Sequence, residues 1–276
     1  MLFKRYVFCV FFLLSVFPIH ALVMQQIENP RSLALGKSYV MLLDNNYALA
    51  NQASASFLSS STLALSYHNR FVVKELSSIS ARYSMPTPWM NVGFLYRFFG
   101  FSLYHEMIAG VSVAKALSSH FSLGAQVDYV SVYVSPEEGY LSTFVPQLGI
   151  IIKATPSVNL GIHAYNFTFA NLQTSYQEEY LQPYLTAGLD YHMDQKVLLL
   201  AQIHKPLREE STLSAGIEYT IAPEVIVRTG MSLQQYLQPS FGVGLNIDVL
   251  KFDVGFQYHP VLGMSVSSGV VFIFGK

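Results

Sequence analysis

The sequence predicts an all-β protein, a transmembrane antiparallel β-barrel of about 14 strands with a short N-terminal plug-like segment. Three observations carry that reading. Apolar and polar residues alternate almost without pause from Thr62 to the end of the chain, the period of two that marks strands. Only 12% of residues are charged while 51% are hydrophobic, too little charge to cover a soluble protein of this length. Yet beyond Phe17 no apolar run is long enough to cross a bilayer as a helix; runs such as Val197 to Ala201 last barely one strand.

The chain opens with Lys4 and Arg5, an apolar run from Tyr6 to Phe17, and Pro18-Ile-His-Ala21. This pattern reads as a signal peptide over residues 1–21, the run being too short for a spanning helix. Cys9 is the only cysteine, so the rest of the chain has no thiol chemistry. Without Lys4 and Arg5, 14 of the 16 basic residues face 17 acidic ones, a net charge of −3, and nucleic acid is not an expected partner. Residues 22–60 lack sustained alternation and are rich in Ala, Leu, Asn and Ser, which suggests short helices and loops.

Residues 61–276 form the expected barrel, with strands near 62–69, 74–84, 89–98, 106–117, 121–133, 143–154, 158–167, 181–193, 196–204, 211–221, 224–233, 239–249, 251–258 and 263–274. In the strand at 211–221, Leu213, Ala215, Ile217 and Tyr219 alternate with Ser214, Gly216, Glu218 and Thr220; in that at 239–249, Phe241, Val243, Leu245 and Ile247 alternate with Gly242, Gly244, Asn246 and Asp248. Connections are expected to run long and short in turn. FGFSLYH, SPEEGYLST and TFANLQTSYQEEY fall at one end, and SSH, TPS, DQK and APE at the other, the asymmetry of outer-membrane barrels whose ends both lie in the periplasm. Outward aromatics near strand ends, among them Tyr67, Tyr83, Phe98, Phe121, Tyr133, Tyr191, Tyr219, Phe252, Tyr258 and Phe274, suit two interfacial girdles. The expected place is therefore the bacterial outer membrane, with lipid against the apolar faces.

No GxSxG, HExxH or phosphate loop is present, so neither an enzyme nor a cofactor is expected. Parity turns His163, His192 and His204 inward, together with Arg82, Arg97, Asp128, Asp190, Glu218, Arg228, Asp248 and Asp253; the mixed signs suggest internal ion pairs. Ile150, Ile152, Leu198 and Leu200 come nearest to an apolar lining, and no continuous one is legible. Glu137, Glu138, Glu178 and Glu179 fall in loops.

Residues 31–58, RSLALGKSYVMLLDNNYALANQASASFL, resemble the N-terminal signature of the PorV/PorQ group of FadL-like outer-membrane barrels. Arg31, Gly36, Asp44, Asn51 and Ala53 match its spacing, while Lys37 stands where that group has a second Gly and Gln52 where it has Pro. The segment FQYHPVLGMSVSSGVVFIF resembles the group's closing hairpin, through His259, Pro260, Leu262 and Gly263. The resemblance implies that the N-terminal segment lies at or inside the barrel. It implies a component of type IX secretion or surface attachment that binds other secretion-system or surface proteins, or alternatively a channel for hydrophobic small molecules with a lipid-like ligand. Tyr176, Glu178, Glu179 and Tyr180, in the longest loop, are the candidate partner contacts.

Overall fold

The computed structural model describes residues 29–43, 47, 51–135, 139–173 and 178–275. The signal-peptide reading over residues 1–21, and Asp44, Glu137, Glu138 and Tyr176, lie outside the described residues.

Fourteen strands close into a barrel. The first seven are β1 (Ser61–Asn69), β2 (Ser77–Pro86), β3 (Asn91–Phe101), β4 (Tyr104–Ala116), β5 (Phe121–Ser135), β6 (Gly139–Thr155) and β7 (Val158–Tyr165). A separate hairpin follows, β8 (Asn171–Gln173) with β9 (Glu178–Tyr180). The barrel resumes with β10 (Tyr184–His192), β11 (Val197–Pro206), β12 (Thr212–Ala222), β13 (Val225–Leu233), β14 (Leu237–Ile247), β15 (Leu250–His259) and β16 (Gly263–Phe274). Every barrel strand pairs antiparallel with its neighbours in the chain, and β1 closes on β16 in register from Ser61 opposite Phe274 to Asn69 opposite Val266. Closure leaves no strand edge, so every ladder group can be satisfied without water. No helix of the described residues is long and apolar enough to cross a membrane.

Each expected strand has its counterpart. Differences lie at one end of the barrel, the loop end, where strands run on past their expected limits. β3 and β4 meet across Ser102 and Leu103 alone, and β5 and β6 continue beyond Tyr133, absorbing a bulge between Tyr133 and Ser135. Most of the expected long connections there contract to hairpin turns, and the length asymmetry rests mainly on residues 70–76 and 166–183. At the other, tight-turn end, short turns join β2 to β3, β4 to β5 and so on around the barrel.

The alternation sorts as expected. Leu213, Ile217, Val243 and Leu245 face outward and are 41 to 53% exposed, while Glu218, Arg228, Asp128 and Asp253 face inward and are buried. So wide a belt of exposed apolar side chains is not a water-facing surface. Asp248 departs from expectation: it stands at φ +50 in the turn between β14 and β15 and is exposed, because the strand ends at Ile247 and parity no longer applies.

Candidate functional site

The lumen is occupied by the chain's own N-terminal segment. Helix α1 (Pro30–Ala34) starts at a reciprocal cap, Asn29 accepting from the Ser32 amide at 2.9 Å and Ser32 Oγ bonding back to the Asn29 amide at 3.2 Å, with Pro30 in the position that needs no donor. Gly36 and Lys37 then turn the chain in the left-handed region, at φ +65 and +68. That explains the resemblance at this pair of positions: both require the conformation glycine adopts freely, and Lys37 adopts it despite its side chain. A 3-10 turn, Gln52–Phe57, crosses to the opposite wall and packs on β4, β5 and β6.

The seat for this segment is a belt of inward glycines that face one another across the strand ladders. Gly242 pairs with Gly255, Gly216 with Gly230, Gly161 with Gly188 and Gly124 with Gly149. A β-carbon on Gly161 would stand 2.2 Å from the Val40 carbonyl oxygen, one on Gly255 2.3 Å from that of Pro30, and one on Gly124 2.4 Å from the Ala53 amide nitrogen. The plug's backbone thus lies directly on the wall's backbone, which only glycine permits.

Polar side chains of the wall satisfy the buried plug backbone, as such groups require. Gln202 of β11 accepts from the amides of Tyr39 and Val40 at 2.9 and 3.0 Å and donates to the Lys37 carbonyl at 2.8 Å. Ser240 accepts from the Gly36 amide, and Ser122 donates to the Ala53 carbonyl, each at 2.9 Å. Asn51 caps the 3-10 turn and donates its amide to the carbonyls of Val40, Ile150 and Ile162, tying two parts of the plug to β6 and β7. Arg31 forks onto Glu218 with two bonds of 2.9 Å; Glu218 also accepts from Arg228 at 2.7 Å. Arg228 reaches Asp253, which accepts from the Tyr47 hydroxyl at 2.8 Å. The relay begins and ends on the plug and its charges alternate in sign, so Glu218, Arg228 and Asp253 are held in ion pairs, while the inward Asp128 is held by Gln126 and Gln147. Burial, and then Asp253, hold the Tyr47 proton well above the usual tyrosine range; Tyr47 is a permanent donor here.

Beside the plug, the inward faces of β3 to β7, β10 and β11 carry a continuous apolar lining. It runs from Leu172 of the loop hairpin and Leu181 just after it, over Leu95, Ile108, Val130, Val145, Tyr165 and Tyr184, to Leu198, Leu200 and the plug's Val40 and Leu42. This corrects two expectations: the lining exists, and in the isoleucine run of β6 it is Ile151, itself outside that lining, that faces inward and is buried, where Ile150 and Ile152 are not. Gln147, Gly149 and Ile151 are the buried, inward set of β6. At the tight-turn end the lining meets a cleft of about 260 Å³ bordered by Leu42, Leu198, Arg31, Glu218, Asp190 and His192. His192 lies at this mouth, its side chain 46% exposed and 3.6 Å from Asp190, rather than within the lumen. Midway, Tyr165 and Tyr184 stack at 4.8 Å with 6° between their planes, and His204 lies 4.6 Å from Tyr184. The apolar and aromatic side chains pack against one another and against the plug, with the polar latch beside them.

Compared with protein-family models and with curated proteins, the sequence matches none. Solved structures do match. The CymD monoaromatic hydrocarbon channel is 12% identical with a TM-score of 0.70, over 90% of this chain and 98% of that one. The toluene transporter TodX of Pseudomonas putida is 13% identical with a TM-score of 0.67, over 90% and 98%. A FadL homologue of Pseudomonas aeruginosa is 12% identical with a TM-score of 0.64, over 89% and 96%. The barrel has the FadL-type fold. At these identities the likeness is one of architecture, and function must be argued from the site.

Of the residues matched to the N-terminal signature, Arg31, Gly36, Asn51 and Ala53 all hold the plug to the wall of this FadL-type barrel. His259 accepts from the amides of Val261 and Leu262, both at 3.2 Å, and Gly263 turns at φ +93; with Pro260, these residues close the β15–β16 turn at the loop end, far from the plug. Glu178, Glu179 and Tyr180 lie in β9, described in backbone only. His163 is buried and bonds Gln147 at 2.9 Å, and His204 bonds Thr186 at 2.8 Å. Among the described residues no group of three or more His, Cys, Asp or Glu is placed to hold a metal ion. Gln202, Ser240 and the glycine belt were missed by sequence reasoning; glycines recurring on inward parity were the available signal.

Proposed function

We propose that this chain is an outer-membrane channel for small hydrophobic molecules, working without turnover chemistry, with both chain ends on the periplasmic side and the N-terminal segment closing the lumen. The observation that carries the reading is the apolar lining from Leu172 and Leu181 to Leu198 and Leu42, beside a plug latched by ion pairs. The FadL-type fold supports it, since its solved examples include channels for monoaromatic hydrocarbons and toluene. The belt of outward Leu, Ile, Val and aromatic residues supports the membrane location. Arg31, Gly36, Asn51 and Ala53 seat a plug in a secretion component and in a channel alike, so they do not favour type IX secretion; the lining favours the channel.

The test is initial uptake of radiolabelled toluene and of a sugar by cells with and without the protein. Toluene uptake rises, sugar uptake does not, and Leu198→Asp with Leu200→Asp abolishes the rise. Toluene uptake equal to that of cells lacking the protein would overturn the reading.

A further inference from the structure

The lipid-facing wall carries a groove that the lumen does not explain. Outside β1, β2, β15 and β16 lies a depression of about 570 Å³, inside the roughly 300–1,000 Å³ range of small-molecule sites. Its origin is in the cross-strand rows. In one row Ala81 stands between Tyr96 and Leu65; in the next, Ser268 stands between Tyr67 and Val254. All six face outward, and the two small members leave space between bulky neighbours. The floor is strand backbone. Behind it there is no room, because a β-carbon on Gly269 would stand 2.6 Å from the Tyr47 ring, and Ser66 and Ser80 bond to each other at 2.6 Å. The groove is therefore shut from the lumen and open only to whatever surrounds the barrel.

We propose that this groove seats one acyl chain of an outer-membrane lipid as a resident ligand. Hydrocarbon is the phase in contact with the belt, and an unfilled depression would forfeit the dispersion contacts of its lining. Height points to a lipid's own chain. The Tyr67 hydroxyl bonds Ser77 at 3.0 Å towards the loop end, the posture of an aromatic whose polar tip lies at headgroup level, and the groove begins directly beneath it. A chain there lies one strand's thickness from the Tyr47 ring and from the inward side of Asp253, whose strand forms part of the floor. The inference goes beyond the channel reading and holds even if the barrel conducts nothing.

The test uses the full chain, folded into vesicles of dioleoyl phosphatidylethanolamine, extracted in mild detergent and weighed by native mass spectrometry. The wild type retains one lipid through detergent exchange, and so does Ile203→Phe, which adds bulk to the exposed outward face of β11, away from the groove. Ser268→Leu fills the groove and lowers the retained fraction at least tenfold, and Ala81→Phe does the same from the other row, so that either variant suffices should the other fail to fold. A wild type that retains no lipid, or a folded Ser268→Leu that retains as much as the wild type, overturns the proposal.

Discussion

Replacing Gly161 with alanine separates the plug from the barrel energetically. The new β-carbon would fall 2.2 Å from the Val40 carbonyl oxygen and 2.7 Å from Met41 Cα. Both obstacles belong to backbone, so no side-chain rotation relieves them. Overpacking of this kind costs about 1–3 kcal/mol, and here the cost is confined to the seated state. The strand itself gains, since glycine within a strand is worth roughly 0.5–1 kcal/mol less than alanine. The two effects therefore have opposite signs in two assays. Unfolding of the barrel in urea once the plug has left its seat stays level or shifts to higher denaturant. Tryptic cleavage after Lys37, which requires the plug to leave its seat, accelerates roughly 5- to 150-fold if opening is fast relative to cleavage. Gly93→Ala is the control, because the nearest obstacle to its β-carbon is the Ser112 hydroxyl, which can rotate. Cleavage of Gly161→Ala at the wild-type rate would refute the seat.

Other consequences follow from the same geometry. Val243→Arg puts a charge on the outward face of β14 and costs about 2–4 kcal/mol near mid-bilayer, read from urea titrations in lipid vesicles; an unchanged midpoint would mean that this face does not meet lipid. Arg31→Ala breaks a buried pair from one side, costing the seated plug roughly 3–5 kcal/mol, while Arg31→Lys keeps the charge without the fork and falls between; conductance in planar bilayers rises in that order if the latch acts as described. Because burial and Asp253 raise the Tyr47 hydroxyl, the seated state holds that proton more tightly than the released one. The Tyr47 contribution to seating is therefore fully present below about pH 10 and is lost as pH climbs beyond it. Tyr47→Phe should lose that alkaline weakening in part, since Tyr39, raised chiefly by burial, retains its share.

The strands were legible because alternation persists over nearly their whole length, and a slip by one residue would turn every side chain to the wrong face. Where the pattern lost its phase, so did the reading. Ile150, Ile151 and Ile152 are apolar on both parities, and only the buried Gln147 and Gly149 before them fix which one faces the lumen. The apolar lining was invisible for a related reason: its members come from seven barrel strands, from β8 and from the segment after β9, one or two from each, and no stretch of sequence displays them together. The plug was legible as a break in alternation. Its seat was not, because a glycine in a strand reads as weakness until register shows it opposite another glycine and beneath a second backbone. Loop lengths misled because the rule counts residues between expected strands, and β5 and β6 extend by pairing with each other above the barrel.

The central claim is that the seated plug closes an apolar path, and locking the plug tests it most directly. A β-carbon on Gly216 would lie 3.0 Å from that of Leu35, just short of the roughly 3.5–4.5 Å of a disulfide, and Cys9 is the only cysteine of the chain. Toluene influx is then measured in vesicles containing Leu35→Cys with Gly216→Cys, oxidised and after reduction. Because the β-carbon at 216 also stands 2.7 Å from the Leu35 carbonyl oxygen and loosens the reduced plug, the account predicts little influx when oxidised and influx at or above the wild-type rate on reduction; equal influx in the two states would contradict it.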